Sequence, residues 1–478
     1  MKAKKGVVGA LLIFLVLNSG AQDQYKESAP PQDNGKFKTD LEFARMLQND
    51  WLKLESAPGL VRDSIPKPSE MPVAGKSASA DKLRLGGQAL ARPTRPIPPA
   101  QPKHSKVPPP ARKGVSFDYF GAPLKVAFEG SVKVPIRSEI NNATISAWWE
   151  ATAGSNYEPC LQQAQEYRQQ MRLNDWGYAY LLYKMGETIY PKSADAADLF
   201  TWFMMVKSGF NAKVGYGNGQ VCLLLPSENV QYGVPHFALS DQQFYLAPFD
   251  ARGLPAGSLF ICEGNYPEAD LALDLRILET PNIEASDLEK IFRFAYGGKE
   301  YSIPVKFNKP LVDYFENYPQ TDLEVYFSAP LSPQADSSLL KALRPMVEGK
   351  LEAERVNFLL HFVQSLAYKT DAEQFGREKY LFPEETLYYS YSDCEDRAVF
   401  FACLVRELTG LEVIGLDYPG HVATAIRFPV NLPGDTVTYA GQRYLICDPT
   451  YLNAGPGMCQ PKYRDVQPSV IEIEVSEG

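Results

Sequence analysis

The chain has 478 residues, a length that accommodates two or three domains. Its formal net charge of −9 excludes the basic surface a nucleic-acid partner would need. Seven scattered cysteines and four histidines show no metal-ligand spacing, so neither a metal nor an organic cofactor is expected.

The N-terminus, Met1 to Ala21, has the pattern of a signal peptide. Lys2, Lys4 and Lys5 precede an apolar run from Val7 to Leu17, and Ser19-Gly20-Ala21 supplies small residues for cleavage before Gln22. The apolar run is too short for a comfortable membrane span, and no later segment is apolar enough for one. The expectation is an exported protein, periplasmic or extracellular, with no membrane span after cleavage. Export permits disulfides, but an odd cysteine count leaves at least one thiol free. Cys160, Cys222, Cys262, Cys403, Cys447 and Cys459 cannot be paired from sequence.

Residues 22–115 are rich in proline, with the runs Arg92 to Pro99 and Val107 to Pro110, and predict a largely disordered linker. Phe37 to Leu54 is the exception: Leu41, Ala44, Leu47, Trp51 and Leu54 line one helical face and predict a docking helix. A pro-segment occluding the active site is the alternative there.

Residues 116–252 open with the strand-like words Leu124 to Phe128 and Ser131 to Pro135, followed by a helical pattern from Leu161 to Leu182. Residues 253–332 alternate in the manner of strands at Ser258 to Cys262, Leu271 to Leu278 and Leu323 to Phe327, predicting a β-rich domain. Leu339 to Tyr368 is helical in pattern, with Pro345 expected in a first turn. Thr370 to Tyr391 then leads toward Cys394 and is expected to line a cleft. His361, in an apolar helix, reads as a packing histidine.

Residues 333–478 carry the chemistry. Ser392 and Glu395 form an S-x-x-E helix start, and Ala398, Phe401, Ala402, Val405 and Leu408 continue a helix apolar on most sides, stopped at Gly410. Cys394 falls in the first turn, where the helix dipole is expected to favour the thiolate. Cys403, inside the same helix, reads as an inert packing thiol. Three strands follow: Leu411 to Leu416, His421 to Ile426, and Tyr444 to Tyr451. Cys447 and Asp448 point to opposite faces of the last. A cysteine at a helix start, a histidine opening a strand and an aspartate on a later strand supply a nucleophile, a general base and an orienting acid.

That order, with the words Cys394-x-Asp396, Gly420-His421-Val422 and Asp448-Pro449-Thr450-Tyr451, resembles the transglutaminase-like superfamily of cysteine acyl-transfer enzymes. The resemblance covers roughly the last 150 residues, a domain-sized segment. It implies an α+β fold of the papain-like type, a helix packed on an antiparallel sheet. It also implies a Cys394–His421–Asp448 triad acting on a protein or peptide substrate through a thioester. The Cys394 backbone N–H is then the expected oxyanion donor.

The chain also echoes itself. Ser193 to Phe200 lies on Cys394 to Phe401 without a gap, matching Asp195 with Asp396, Ala197 with Ala398, Phe200 with Phe401 and Gly209 with Gly410. Pro235-His236-Phe237 parallels Gly420-His421-Val422, and Phe244 to Ala247 parallels Arg443 to Ile446. The pattern predicts a duplicated fold whose first copy has Ser193 at the nucleophile position and Phe249 or Asp250 at the acid position. Two functions follow from this. One is an exported cysteine hydrolase or acyltransferase acting on peptide-type amides. The other is a catalytically inactive binding or scaffold protein of the cell envelope. Hydrolysis versus transamidation, and the oligomeric state, are not encoded legibly.

Overall fold

The structure, a computed structural model, describes residues 113–239, 242–262, 266, 268–283 and 287–473, with short pieces at 39–42, 44–45 and 69–70. The expected signal peptide lies outside the described residues, as does most of the expected linker. Helices and antiparallel sheets are mixed in an α+β arrangement. No helix among the described residues is long and apolar enough to cross a membrane.

Two five-stranded sheets dominate, and each follows a long buried helix. The first helix, Ala194–Lys207, precedes strands Lys213–Gly217, Gln220–Pro226, His236–Leu239, Gln242–Leu246 and Phe260–Cys262. The second, Cys394–Thr409, precedes Glu412–Tyr418, His421–Arg427, Thr436–Tyr439, Gln442–Cys447 and Ser469–Ile471. In chain order of its own strands, each sheet is arranged third, fourth, second, first, fifth. The tight turns share their chemistry. Asn218-Gly219 and Ala440-Gly441 both place two residues at positive φ, the two-residue hairpin turn that matches the twist of the flanking strands.

The Cys394 helix is held by its apolar sides. Phe400, Phe401, Leu404 and Val405 are fully buried, and each such side chain contributes about 1.5–3 kcal/mol. Gly410 ends the helix at φ 70°, where a residue without Cβ is unstrained. One large core runs from Tyr119 to Cys447 and takes in both helices. Each sheet turns its other face to a smaller apolar cluster. Cys222, Leu224 and Phe237 belong to the first, and Ile414, Leu416, Tyr418 and Ala423 to the second.

Several expected elements differ. Ser131 to Pro135 is not a strand: Gly130–Val132 forms a 3-10 turn closed by Val132 N–H on Glu129 O. The single helix expected over Leu161 to Leu182 is two, Glu158–Gln170 and Asp175–Ile189. Arg172 at φ 51° breaks the run and Asn174 caps the second piece. Residues 253–332 mix strands with two helices that the sequence did not predict. They give the first sheet its last strand, then form one long hairpin, Asp287–Tyr296 with Lys299–Asn308, and two helices. Leu323–Ser328 is helical because Val325 to Ser328 are all buried, a pattern no half-exposed strand produces. Leu271 to Leu278 does alternate in burial, but it joins other segments only by single bridges at Leu271 and Leu273. Pro345 sits in the last turn of Pro333–Val347; a new helix, Glu352–Gln364, begins past Gly349.

The N-terminal region is not wholly separate from the body. Asp40 Oδ1 accepts from Ala353 N at 2.6 Å, at the start of helix Glu352–Gln364. Ala44 is buried with Ala353, Leu432 and Leu445. Ser69 and Glu70 pair antiparallel with Leu452 and Tyr451. These contacts fit the docking reading of residues 37–54.

Candidate active site

The helix that carries Cys394 starts one residue later than its S-x-x-E word predicts. Asp393 is the N-cap and Cys394 the first helical residue; Asp393 N–H donates to Asp396 Oδ2 at 3.2 Å. Ser392 does not cap, because its Oγ accepts from the Nε of fully buried Arg397 at 3.2 Å. Arg397 also donates to the Leu366 carbonyl, fixing the segment ahead of the helix. Asp396 Oδ1 accepts from Leu381 N at 2.9 Å, so a loop from Thr370 to Tyr391 is tied onto the helix start.

His421 follows the turn Pro419-Gly420 and opens its strand, paired with Tyr418. Its Nε2 lies 2.8 Å from Asp448 Oδ2, and both side chains are buried. The ring stacks on Tyr463 with centroids 4.9 Å apart and planes 8° from parallel. Asp448 Oδ1 accepts from the backbone and hydroxyl of Thr450, at 2.9 and 2.7 Å. Burial alone would raise the Asp448 carboxyl. The His421 charge and hydrogen bond, with the two Thr450 donors, overcome burial and hold it below its ordinary value. Because an ionised carboxylate only accepts, His421 carries its proton on Nε2 and leaves Nδ1 as the basic nitrogen.

Gln460 completes this pair and was missed in the sequence. Its Nε2 donates to Asp448 Oδ2 at 2.8 Å and lies 3.2 Å from His421 Nε2. The loop that carries it is pinned by glycine. Gly457 N–H donates to Ile446 O at 2.7 Å and Asp435 N–H to Gly457 O at 2.8 Å. A Cβ on Gly434 would meet Gly457 Cα at 2.5 Å, so only glycine allows the approach. Residues 453–463 show neither apolar period nor motif, so Gln460 and Tyr463 gave no signal.

Cys394 is partly exposed; the other six cysteines are buried, and all seven are free. The Val422 backbone amide, next to His421, lies against its sulfur. No hydrogen bond joins Cys394 to His421 among the described residues. The Cys394 Sγ instead donates to Glu395 Oε2 at 2.9 Å. His421 packs on Tyr418 and Tyr463, in the apolar cluster on the sheet face away from the helix. The sulfur therefore meets the sheet at the end of the His421 strand, from the helix side.

The electrostatics overturn one expectation. The thiol is not favoured as thiolate: burial first, then the charges of Glu395 and Asp393 and the bond to Glu395, push it well above its ordinary value. The Val422 amide opposes this, but a helix dipole with two flanking carboxylates is outweighed. The same acids crowd one another. Asp371, Asp393 and Asp396 bring carboxylate oxygens within 4.8 Å, and so do Asp371, Glu378 and Glu395. These are the groups that could hold a cation. Burial, then the Asp396 and Glu395 charges, push the Asp371 carboxyl well above its ordinary value, as crowded like charges do.

In the upstream sheet the corresponding places hold other residues. Ser193 caps its helix through Ala196 N at 3.2 Å. The residue following the first hairpin turn, where His421 stands in the second sheet, is Gln220. His236 is not that residue; it opens the third strand, at the sheet edge, and packs at a tilt against Tyr245. Asp195 and Asp198, in the first turns of the upstream helix, are bridged by Arg252 at 2.7 and 2.5 Å, with Asp250 2.7 Å from the same guanidinium. His361 Nδ1 donates to Asn357 O, 2.9 Å away within its own helix, and takes no part in either site.

The chain matches no family model, no curated protein and no solved structure.

Proposed function

We propose that the chain is an exported cysteine acyl-transfer enzyme of the transglutaminase-like type, acting on peptide-type amides, with Cys394 as nucleophile. The observation that carries this reading is the buried 2.8 Å contact of His421 with Asp448, together with a helix start that presents Cys394 against the amide of Val422 on the His421 strand. The thiol turns from Glu395 toward His421 Nδ1 around the end of the strand. His421 takes the proton as the sulfur attacks the carbonyl, and returns it to the departing amine. A water or a second amine then resolves the thioester. Asp448 and Gln460 hold the imidazole in the tautomer this requires. The Cys394 backbone N–H, unpaired at the first helical position, is the oxyanion donor.

The shared strand order supports two copies of one fold, the upstream one with Ser193 and Gln220 where Cys394 and His421 stand. A second reading, a binding or scaffold protein that kept the cleft, is favoured by the Cys394–Glu395 bond and the raised thiol. Iodoacetamide separates them. In an enzyme, Cys394 labels ahead of the six buried cysteines at neutral pH, and His421→Ala slows it. Equal labelling in the two proteins supports the binding reading.

A further inference from the structure

A cleft of about 500 Å³ opens where the upstream sheet region meets the Cys394 unit. Asp322, Glu324, Asp417 and Glu472 line it, against a single cation, Arg276. That guanidinium is forked onto Asp274, with Nε 2.9 Å from Oδ1 and Nη2 2.6 Å from Oδ2, which largely cancels its charge. The donors to Asp322 are neutral, the Tyr232 hydroxyl at 2.6 Å and the Val230 amide at 3.0 Å, and Glu472 accepts from the Tyr439 hydroxyl. Such donors leave the carboxylate charges in place. Asp417 is exposed and makes no hydrogen bond or ion pair among the described residues. At the wall Ser328 is 7% exposed, and its Oγ is buried with no hydrogen-bond partner. A concave wall on which the Asp322, Asp417 and Glu472 side chains have no ion-pair partner among the described residues concentrates cations.

The cleft also lies near the segment that carries the thiol. Asp417 stands opposite Val422 across the hairpin, and the Val422 amide lies against Cys394 Sγ. Tyr380, another wall residue, directly precedes Leu381, whose N–H holds Asp396 at the helix start. We propose that this cleft is a binding subsite for a cationic, lysine-type side chain of the peptide whose amide Cys394 attacks. The word substrate rests on the acyl-transfer reading; the charge preference of the cleft does not.

The test uses full-length Cys394→Ala protein, so binding is read without chemistry. Acetyl-Ala-Lys-Ala amide and its norleucine and glutamate counterparts are titrated by calorimetry or by chemical-shift perturbation. The lysine peptide is expected to bind about fivefold tighter than the norleucine peptide, with the glutamate peptide weakest, and added salt shrinks the preference. Asp417→Asn/Glu472→Gln removes it; both side chains are exposed, and Asp417→Asn alone serves if the double variant melts early. Equal binding of the lysine and norleucine peptides, or a preference untouched by these variants, overturns the proposal. A lysine preference in a protein whose Cys394 proves inert would sink the acyl-transfer reading and leave the subsite standing.

Discussion

Cys394 and Glu395 are neighbours in the chain and partners in the site: the thiol donates to the carboxylate at 2.9 Å, so the proton that His421 must remove points at Glu395. Glu395→Gln takes away the second-largest cause of the raised thiol. The midpoint of the alkylation–pH profile of Cys394 should move down by about one unit, which is about tenfold in rate below the midpoint. An unmoved profile would show that Glu395 does not restrain the sulfur.

Asp448 contributes to stability with a defined sign. Its carboxyl is held below the ordinary value in the fold. Its stabilisation is therefore complete above the unfolded value near ~4 and is lost as pH falls through the folded one. Asp448→Ala removes that acid sensitivity and leaves the ring N–H of His421 buried without its acceptor, costing about 1–3 kcal/mol. Urea melts at neutral and acid pH read both effects: the variant should lose more stability at neutral pH than in acid.

Arg252 pairs with three carboxylates of the upstream unit, and Asp198 among them is buried. Arg252→Ala should lower stability by about 2 kcal/mol, a value reduced from that of a fully buried pair because the guanidinium is partly exposed. Thermal unfolding measures it. Labelling of Cys394 in the folded variant should match the parent protein.

Much of the C-terminal unit was legible because the Cys394 helix is apolar on most faces and Gly410 stops it. The strands after it are short, apolar and separated by turn residues. What escaped has physical causes. Ser392 looks like a cap in sequence, yet a buried arginine from the next turn claims its hydroxyl. The effect of position on the thiol was misjudged because burial is the larger influence on the sulfur, and Glu395 was read only for its helix-start pattern. Leu323 to Phe327 read as a strand because five residues cannot distinguish alternation from one buried helical turn. Gln460 reaches His421 through a glycine contact that no periodicity announces.

Asp40 tests whether the N-terminal segment is anchored. It accepts from the amide of Ala353, one of the free donors at a helix start. Asp40→Ala should cost about 0.5–2 kcal/mol of local docking and expose residues 39–45 to limited proteolysis. Unchanged protection would mean that the apolar contact of Ala44 suffices.

The central claim is that Cys394 forms a thioester with help from His421. The most direct measurement is the reaction of the full-length protein with p-nitrophenyl acetate, followed by rapid acid quench and mass spectrometry. The account predicts a burst of nitrophenolate, an acetyl group on Cys394 and on no other cysteine, and a burst slowed at least about tenfold in His421→Ala. Acetylation that avoids Cys394, or a burst indifferent to His421, would contradict it.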